Sequence, residues 1–167
     1  MIAARDRDFD GVRAGSLTRV ACSPRVEDDP SFRGLRLAAP ARVALGAALD
    51  PFSSTSSRVI VCGALHLELD YLGLRGRLLT QIVLVAVSAT THRAFSARFE
   101  PAPNPVTSPA RAGREPGAWP EGSIIQYFNP NLAEVLPLPE EEATYFVYAT
   151  LGAHVSNVVR IELRRLA

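Results

Sequence analysis

Between Val59 and Tyr71 the chain alternates with a period of two. Val59, Val61, Leu65, Leu67, Leu69 and Tyr71 fall on one side with Gly63; Ile60, Cys62, Ala64, His66, Glu68 and Asp70 fall on the other. Successive side chains of a strand point to opposite faces, so the pattern predicts a strand with one face in a core and the other at least partly wet. A glycine inside such a run marks a bulge or the close approach of a neighbour, and Gly63 is read that way. Thr80 to Ala89 is nearly continuous in branched residues and predicts a buried strand. Phe95, Ala97 and Phe99 alternate with Ser96, Arg98 and Glu100, which predicts a half-buried strand paired with its predecessor across the turn at 90–93. Val43, Leu45, Ala47 and Leu49 predict an earlier strand, and Ser123 to Phe128 a short later one.

The last strands form the clearest unit. Thr144 to Thr150 and Ser156 to Leu163 flank a turn at Leu151-Gly152-Ala153-His154, which predicts a β-hairpin. Asn131-Leu-Ala-Glu134 has capping-box spacing, so residues 132–136 are expected to make one helical turn, stopped by Pro137. Pro51 to Ser57 and Leu72 to Arg77 read as loop and turn. Residues 101–122 hold six prolines, which exclude a central strand there. Residues 1–33 are polar and charged and read as an irregular N-terminal arm. Residues 34–167 read as one domain, because no linker separates two sets of strands. The expected fold is all-β: a largely antiparallel sandwich of about seven strands with one short helical turn.

Residues 143–150 and 156–163 resemble the last two strands of immunoglobulin-like or fibronectin-type sandwiches of bacteria. A helical turn before the penultimate strand is similar to that class as well. The resemblance implies a tyrosine corner at Tyr145, its hydroxyl tied to upstream backbone. The chain departs from the antibody pattern in carrying Val147 where a cysteine would stand, and no Trp in Thr80–Ala89. An architecture of this kind hosts many functions, so the resemblance leaves the activity open.

Composition narrows the function classes. The chain has 167 residues, 47% of them hydrophobic and only 7% aromatic, so its core must be chiefly aliphatic. Eighteen basic and 17 acidic residues leave a net charge of +1, which sets up no field for nucleic acid or an acidic membrane. Every basic residue is arginine. A Schiff-base lysine and a phosphate-loop lysine are therefore excluded. The longest apolar run falls far short of a bilayer span, and no secretory signal pattern opens the chain. Two cysteines, Cys22 and Cys62, do not make a disulfide framework, so the expected setting is cytoplasmic with reduced thiols.

Candidate chemistry is sparse. Asp6, Asp8 and Asp10, followed by Gly11, match the opening of a calcium loop, but the closing twelfth position is Leu17. Cys62 and His66 share a strand face about 13 Å apart, too far for a nucleophile–base pair. His66, His92 and His154 are not expected to converge on a metal, and no cofactor is expected. If successive strands alternate in direction, the Leu72–Arg77 turn, the proline-rich loop and the His154 turn share one end. That end would present Arg75, Arg77, Trp119 and His154 together as a contact surface. The function expected is a non-catalytic protein-interaction or assembly module. Its partner would be another protein or a second copy, met at the loop end or on an outer sheet face. The alternatives are a small enzyme or accessory subunit with a site near His154, and a carbohydrate-binding sandwich using Tyr127, Tyr148 and Trp119.

Overall fold

A computed structural model describes residues 5–46, 57–68, 78–101 and 122–165. These contain nine strands and one α-helical turn: β1 (Gly34–Ala38), β2 (Arg42–Leu45), β3 (Cys62–Glu68), β4 (Val83–Ser88), β5 (Ala94–Arg98), β6 (Ser123–Phe128), α1 (Leu132–Val135), β7 (Ala143–Leu151), β8 (His154–Val155) and β9 (Val159–Arg165). The fold is all-β. The strands form a smaller sheet, β1-β3-β6, and a larger one, β2-β9-β7-β4-β5, with β8 added to β7. Every pairing is antiparallel except β2 with β9. The strands read from the sequence are all present, and Asn131 caps α1 by accepting a hydrogen bond from the Ala133 amide (3.3 Å). Two short strands exceed the expected seven: β1, in a stretch without a clean alternation, and the two-residue β8.

Both sheets face one core. Tyr145, Val147, Ala149 and Leu151 of β7 meet Leu84 and Ala86 of β4, Ile161 and Leu163 of β9, and Leu35, Leu37, Leu65, Leu67 and Phe128 of the smaller sheet. These are the inward members of period-two strands, and removing their apolar surface from water stabilises the fold. Gly63 lies where expected for a close approach. A Cβ there would overlap the ring of Phe128, which is fully buried and packs at 5.7 Å on Phe99. Tyr145 is buried edge-on to Phe95 at 6.2 Å, and burial, with Glu141 nearby, pushes its hydroxyl pKa up.

Three asparagines make the junctions that alternation does not reveal. Asn131 also accepts the Val59 amide (2.9 Å), while Leu132 N–H donates to Val59 O (2.8 Å), so α1 closes onto the entry to β3. Asn129 donates through Nδ2 to Ser16 Oγ and Thr18 O, both at 2.9 Å, and fastens the arm to the end of β6. Asn157, in the β8–β9 connection, accepts Leu37 N–H (2.9 Å) and donates to Leu37 O (3.0 Å). Its amide imitates a neighbouring strand and links β1 of the smaller sheet to the larger one.

The arm corrects two expectations. Residues 5–33 are irregular apart from two 3-10 turns, Asp6–Phe9 and Val26–Asp28, yet they bring Phe9, Val12 and Cys22 onto Ile60 and Cys62 as a second apolar cluster. The face of β3 expected to be wet is consequently covered: Ile60, Cys62, Ala64 and His66 are 3%, 0%, 0% and 5% exposed. Alternation showed two faces but not what lay against the second. Cys22 and Cys62 are joined in a disulfide instead of being reduced thiols. Forty residues apart in sequence, they lie together because the arm folds back across β3.

Candidate interaction face

The outer face of the larger sheet is the one broad sheet face that the described residues leave open. On β4 the inward positions are Leu84, Ala86 and Ser88; the outward positions are Val83, Val85 and Val87, all half-buried. The register aligns each valine with β7: Val83 with Thr150, Val85 with Tyr148 and Val87 with Phe146. Beyond β7, Thr150 pairs with Val155 and Phe146 with Arg160. Val158 precedes β9 with the same parity as Arg160 and is exposed. Phe146, Val155 and Val158 are 41%, 61% and 58% exposed, and they are three of the five large exposed hydrophobics among the described residues. All three fall around Tyr148 on this face. Antiparallel sheets usually alternate apolar inside and polar outside; β4 is apolar on both sides, as in a strand covered on both faces.

Charge gathers at one flank. Glu162 of β9 meets Arg160 (2.5 Å), Arg164 (3.5 Å) and Arg42 of β2 (3.7 Å). The hydrogen bond from Arg160 is the main cause holding the Glu162 carboxyl below its ordinary pKa, so it is an anion at neutral pH. Its side chain is 13% exposed, against 56% for Arg160 and Arg164 and 77% for Arg42. A partner would therefore meet guanidinium groups before the carboxylate.

The smaller sheet carries the other polar cluster. His66 Nε2 lies 2.6 Å from Ser123 Oγ, and its Nδ1 is buried without a hydrogen-bond partner. Burial, and then Arg33, lowers the His66 pKa, so the ring is neutral at pH 7. A serine nucleophile would need Nε2 as acceptor and hence the proton on Nδ1, which would bury an N–H with no acceptor. Donation from Nε2 to Ser123 leaves only a bare lone pair there, the less costly arrangement. The pair therefore fits a structural hydrogen bond. Nearby, Arg33 pairs with Glu68 (3.0 Å), Arg36 reaches Asp29 (3.8 Å) and stacks on Phe32, and Tyr127 donates to Glu27 (3.2 Å).

The other residues singled out by sequence are scattered. Asp6 accepts the Ala41 amide and Asp8 the Arg5 amide, each at 2.8 Å, so Asp8 caps local backbone while Asp6 ties the arm to the start of β2, 35 residues on. Among the described residues no three His, Cys, Asp or Glu side chains are grouped to hold a metal ion. His66 lies in β3, His92 in the β4–β5 turn and His154 at the start of β8. His154 is brought beside β1: a Cβ on Gly34, which has φ +139°, would lie 3.8 Å from its Nδ1 and 3.6 Å from the Phe32 ring. Arg75, Arg77 and Trp119 lie outside the described residues. Tyr127 and Tyr148 point outward from different sheets, so these two do not share a platform. The valines of β4 did not distinguish the open face, because they read equally well as buried on both sides. The doubly apolar pattern of β7, with Phe146 and Tyr148 between Tyr145, Val147 and Ala149, was the available signal.

No protein-family model, curated protein or solved structure matches the chain. Among the described residues no helix is long and apolar enough to cross a membrane.

Proposed function

We propose that this chain is a non-catalytic protein-interaction module, an immunoglobulin-like β-sandwich that docks a partner on the outer face of its larger sheet. The observation that carries the reading is the convergence of Phe146, Tyr148, Val155, Val158 and the β4 valines on that one face. Contiguous exposed apolar surface rimmed by polar residues marks interaction sites on otherwise ordinary domains. The test is Phe146→Glu. The side chain points outward, so the variant keeps its melting temperature, while binding to a partner purified and reconstituted with the wild-type chain falls at least tenfold. If the variant binds as well as wild type, the docking face lies elsewhere.

The Cys22–Cys62 bond supports an oxidising compartment for the module, since such bonds persist there and are rare in the cytoplasm. Trapping thiols with iodoacetamide at lysis and weighing the intact protein separates this from the cytoplasmic setting expected from sequence. An unmodified mass favours the oxidising compartment, and two added carbamidomethyl groups favour the cytoplasm.

A further inference from the structure

From the dimensions and charge of this face we infer its occupant: a short segment or protruding element of another protein, apolar at its centre with carboxylates along one flank. The inference rests on the interaction reading above. Size is the first argument. Five strands of four (β2), seven (β9), nine (β7), six (β4) and five (β5) residues, at about 3.4 Å per residue and about 4.8 Å between strands, give a flat footprint of roughly 500 Å². A stable interface between two folded proteins takes about 800 Å² of accessible surface from each partner, so a footprint of this size matches a narrow element more closely than the flank of a second copy. It suits an element that covers three or four strands.

Charge is the second argument. The apolar rows run Val83–Thr150–Val155, Val85–Tyr148 and Val87–Phe146. The charged residue in register with Phe146 is Arg160, on the β9 side. Around it on the same face lie Arg42 and Arg164, opposed by Glu162 and by Glu142, whose carboxylate accepts the Arg165 amide (2.9 Å); Arg165 itself has the inward parity of Ile161 and Leu163. Three arginines against two glutamates leave one positive charge on that flank. Across the sheet, Arg98 closes the row of Val83 and Glu100 stands two positions on with the same parity, so that side carries no net charge. An occupant seated on the valines and Phe146 would gain more from carboxylates over β9 than over β5. Such complementarity fixes orientation and speeds encounter.

The probe is a displayed library of random twelve-residue peptides, selected on the wild-type chain with its disulfide intact. The result expected is a set of apolar sequences enriched in Asp and Glu. Their affinity falls at least tenfold with Phe146→Glu, and several-fold with Arg160→Ala combined with Arg164→Ala, together with loss of most of the salt dependence. Both variants are checked for an unchanged melting temperature. Peptides that depend on Phe146 but are neutral or basic, or that ignore the arginine variant, would overturn the partner chemistry and leave the docking face standing. A concentration-dependent dimer by sedimentation, abolished by Phe146→Glu, would make the occupant a second copy. Phe146-dependent binding to phosphatidylglycerol vesicles without any enriched peptide would make it a membrane surface. No enriched peptide, with a monomer and no vesicle binding, overturns this inference and the interaction reading together.

Discussion

Gly63 provides a sharp test of how the two sheets meet. It is the second residue of β3, on the inward face, in register with Phe128 of β6. A Cβ built on it would penetrate the Phe128 ring. That ring is wholly buried against Phe99, so it has no free space to swing into. Overpacking a filled core costs about 1–3 kcal/mol, and the rigid target puts Gly63→Ala at the upper end. Alanine loses less backbone freedom on folding than glycine, which returns roughly 0.4–1 kcal/mol. The net expectation is a loss of about 2 kcal/mol. In urea that lowers the midpoint by about 1 M at an m-value near 2 kcal/mol/M, with the m-value itself unchanged. Phe128→Leu removes the obstructing ring edge, so the double variant is expected to be less destabilised than the two single effects added, by about 1 kcal/mol or more. A Gly63→Ala protein within 0.5 kcal/mol of wild type, or strictly additive effects, would show that β3 and β6 do not meet in this register.

Three further changes address the arm and the junctions. Replacing both Cys22 and Cys62 by Ala opens a link across 40 residues, which the chain-entropy estimate puts at roughly 2–4 kcal/mol; trypsin is expected to cut at Arg13, Arg19 and Arg25 faster than in wild type, and unchanged digestion would show that the arm is held without the bond. Asn157→Ala leaves both the Leu37 N–H and C=O without their partner and is expected to cost about 1–2 kcal/mol, with faster amide exchange at Leu37; equal exchange would mean the fork does not join the sheets. His66 is held neutral by burial, so its folded pKa lies below the unfolded value near 6.5 and the unfolded chain binds more protons between the two. Its contribution to stability is whole above that unfolded value and is lost as pH falls towards the folded one. His66→Gln is expected to flatten the urea midpoint between pH 7 and 5.5, and an equally steep profile would assign the slope to other groups.

Period-two alternation carried part of the fold. It located β2, β3 and β5, because a half-buried strand must sort its side chains by face whatever it pairs with, while β4 and the β7–β9 hairpin were read from runs of branched and aromatic residues bounded by turns. It also placed Gly63 against a neighbour, since the lack of a Cβ has only a few uses inside a strand. The topology was not legible. The parallel pairing of β2 with β9 and the asparagine junctions at 129, 131 and 157 depend on residues up to 120 positions apart, and no local pattern encodes them. β1 was missed because its alternation is confined to Leu35-Arg36-Leu37, too short a run to stand out; Arg36, facing away from the core, stacks on Phe32 and pairs with Asp29. The candidate face was hidden for another reason. A strand apolar on both sides predicts two covers, and only one of them is supplied by the described part of the chain.

The two sheets differ in how that second cover is provided. The smaller sheet exposes Ile60, Cys62 and Ala64 on its back, and the chain devotes residues 5–33 to covering them with Phe9, Val12, a disulfide and the bonds from Asn129. The larger sheet has a longer apolar back, with three valines, Phe146 and Tyr148, and the described residues lay no comparable segment across it. Leaving that surface in water forgoes about 25 cal/mol for each Å² that a cover would have removed. Arg42, Arg160 and Arg164 crowd Glu162 at its edge and keep the surrounding rim charged, which favours a partner with matching charge over indiscriminate sticking. The contrast is what makes a binding role the economical account of the open face: the described residues that close one apolar sheet back leave the other available.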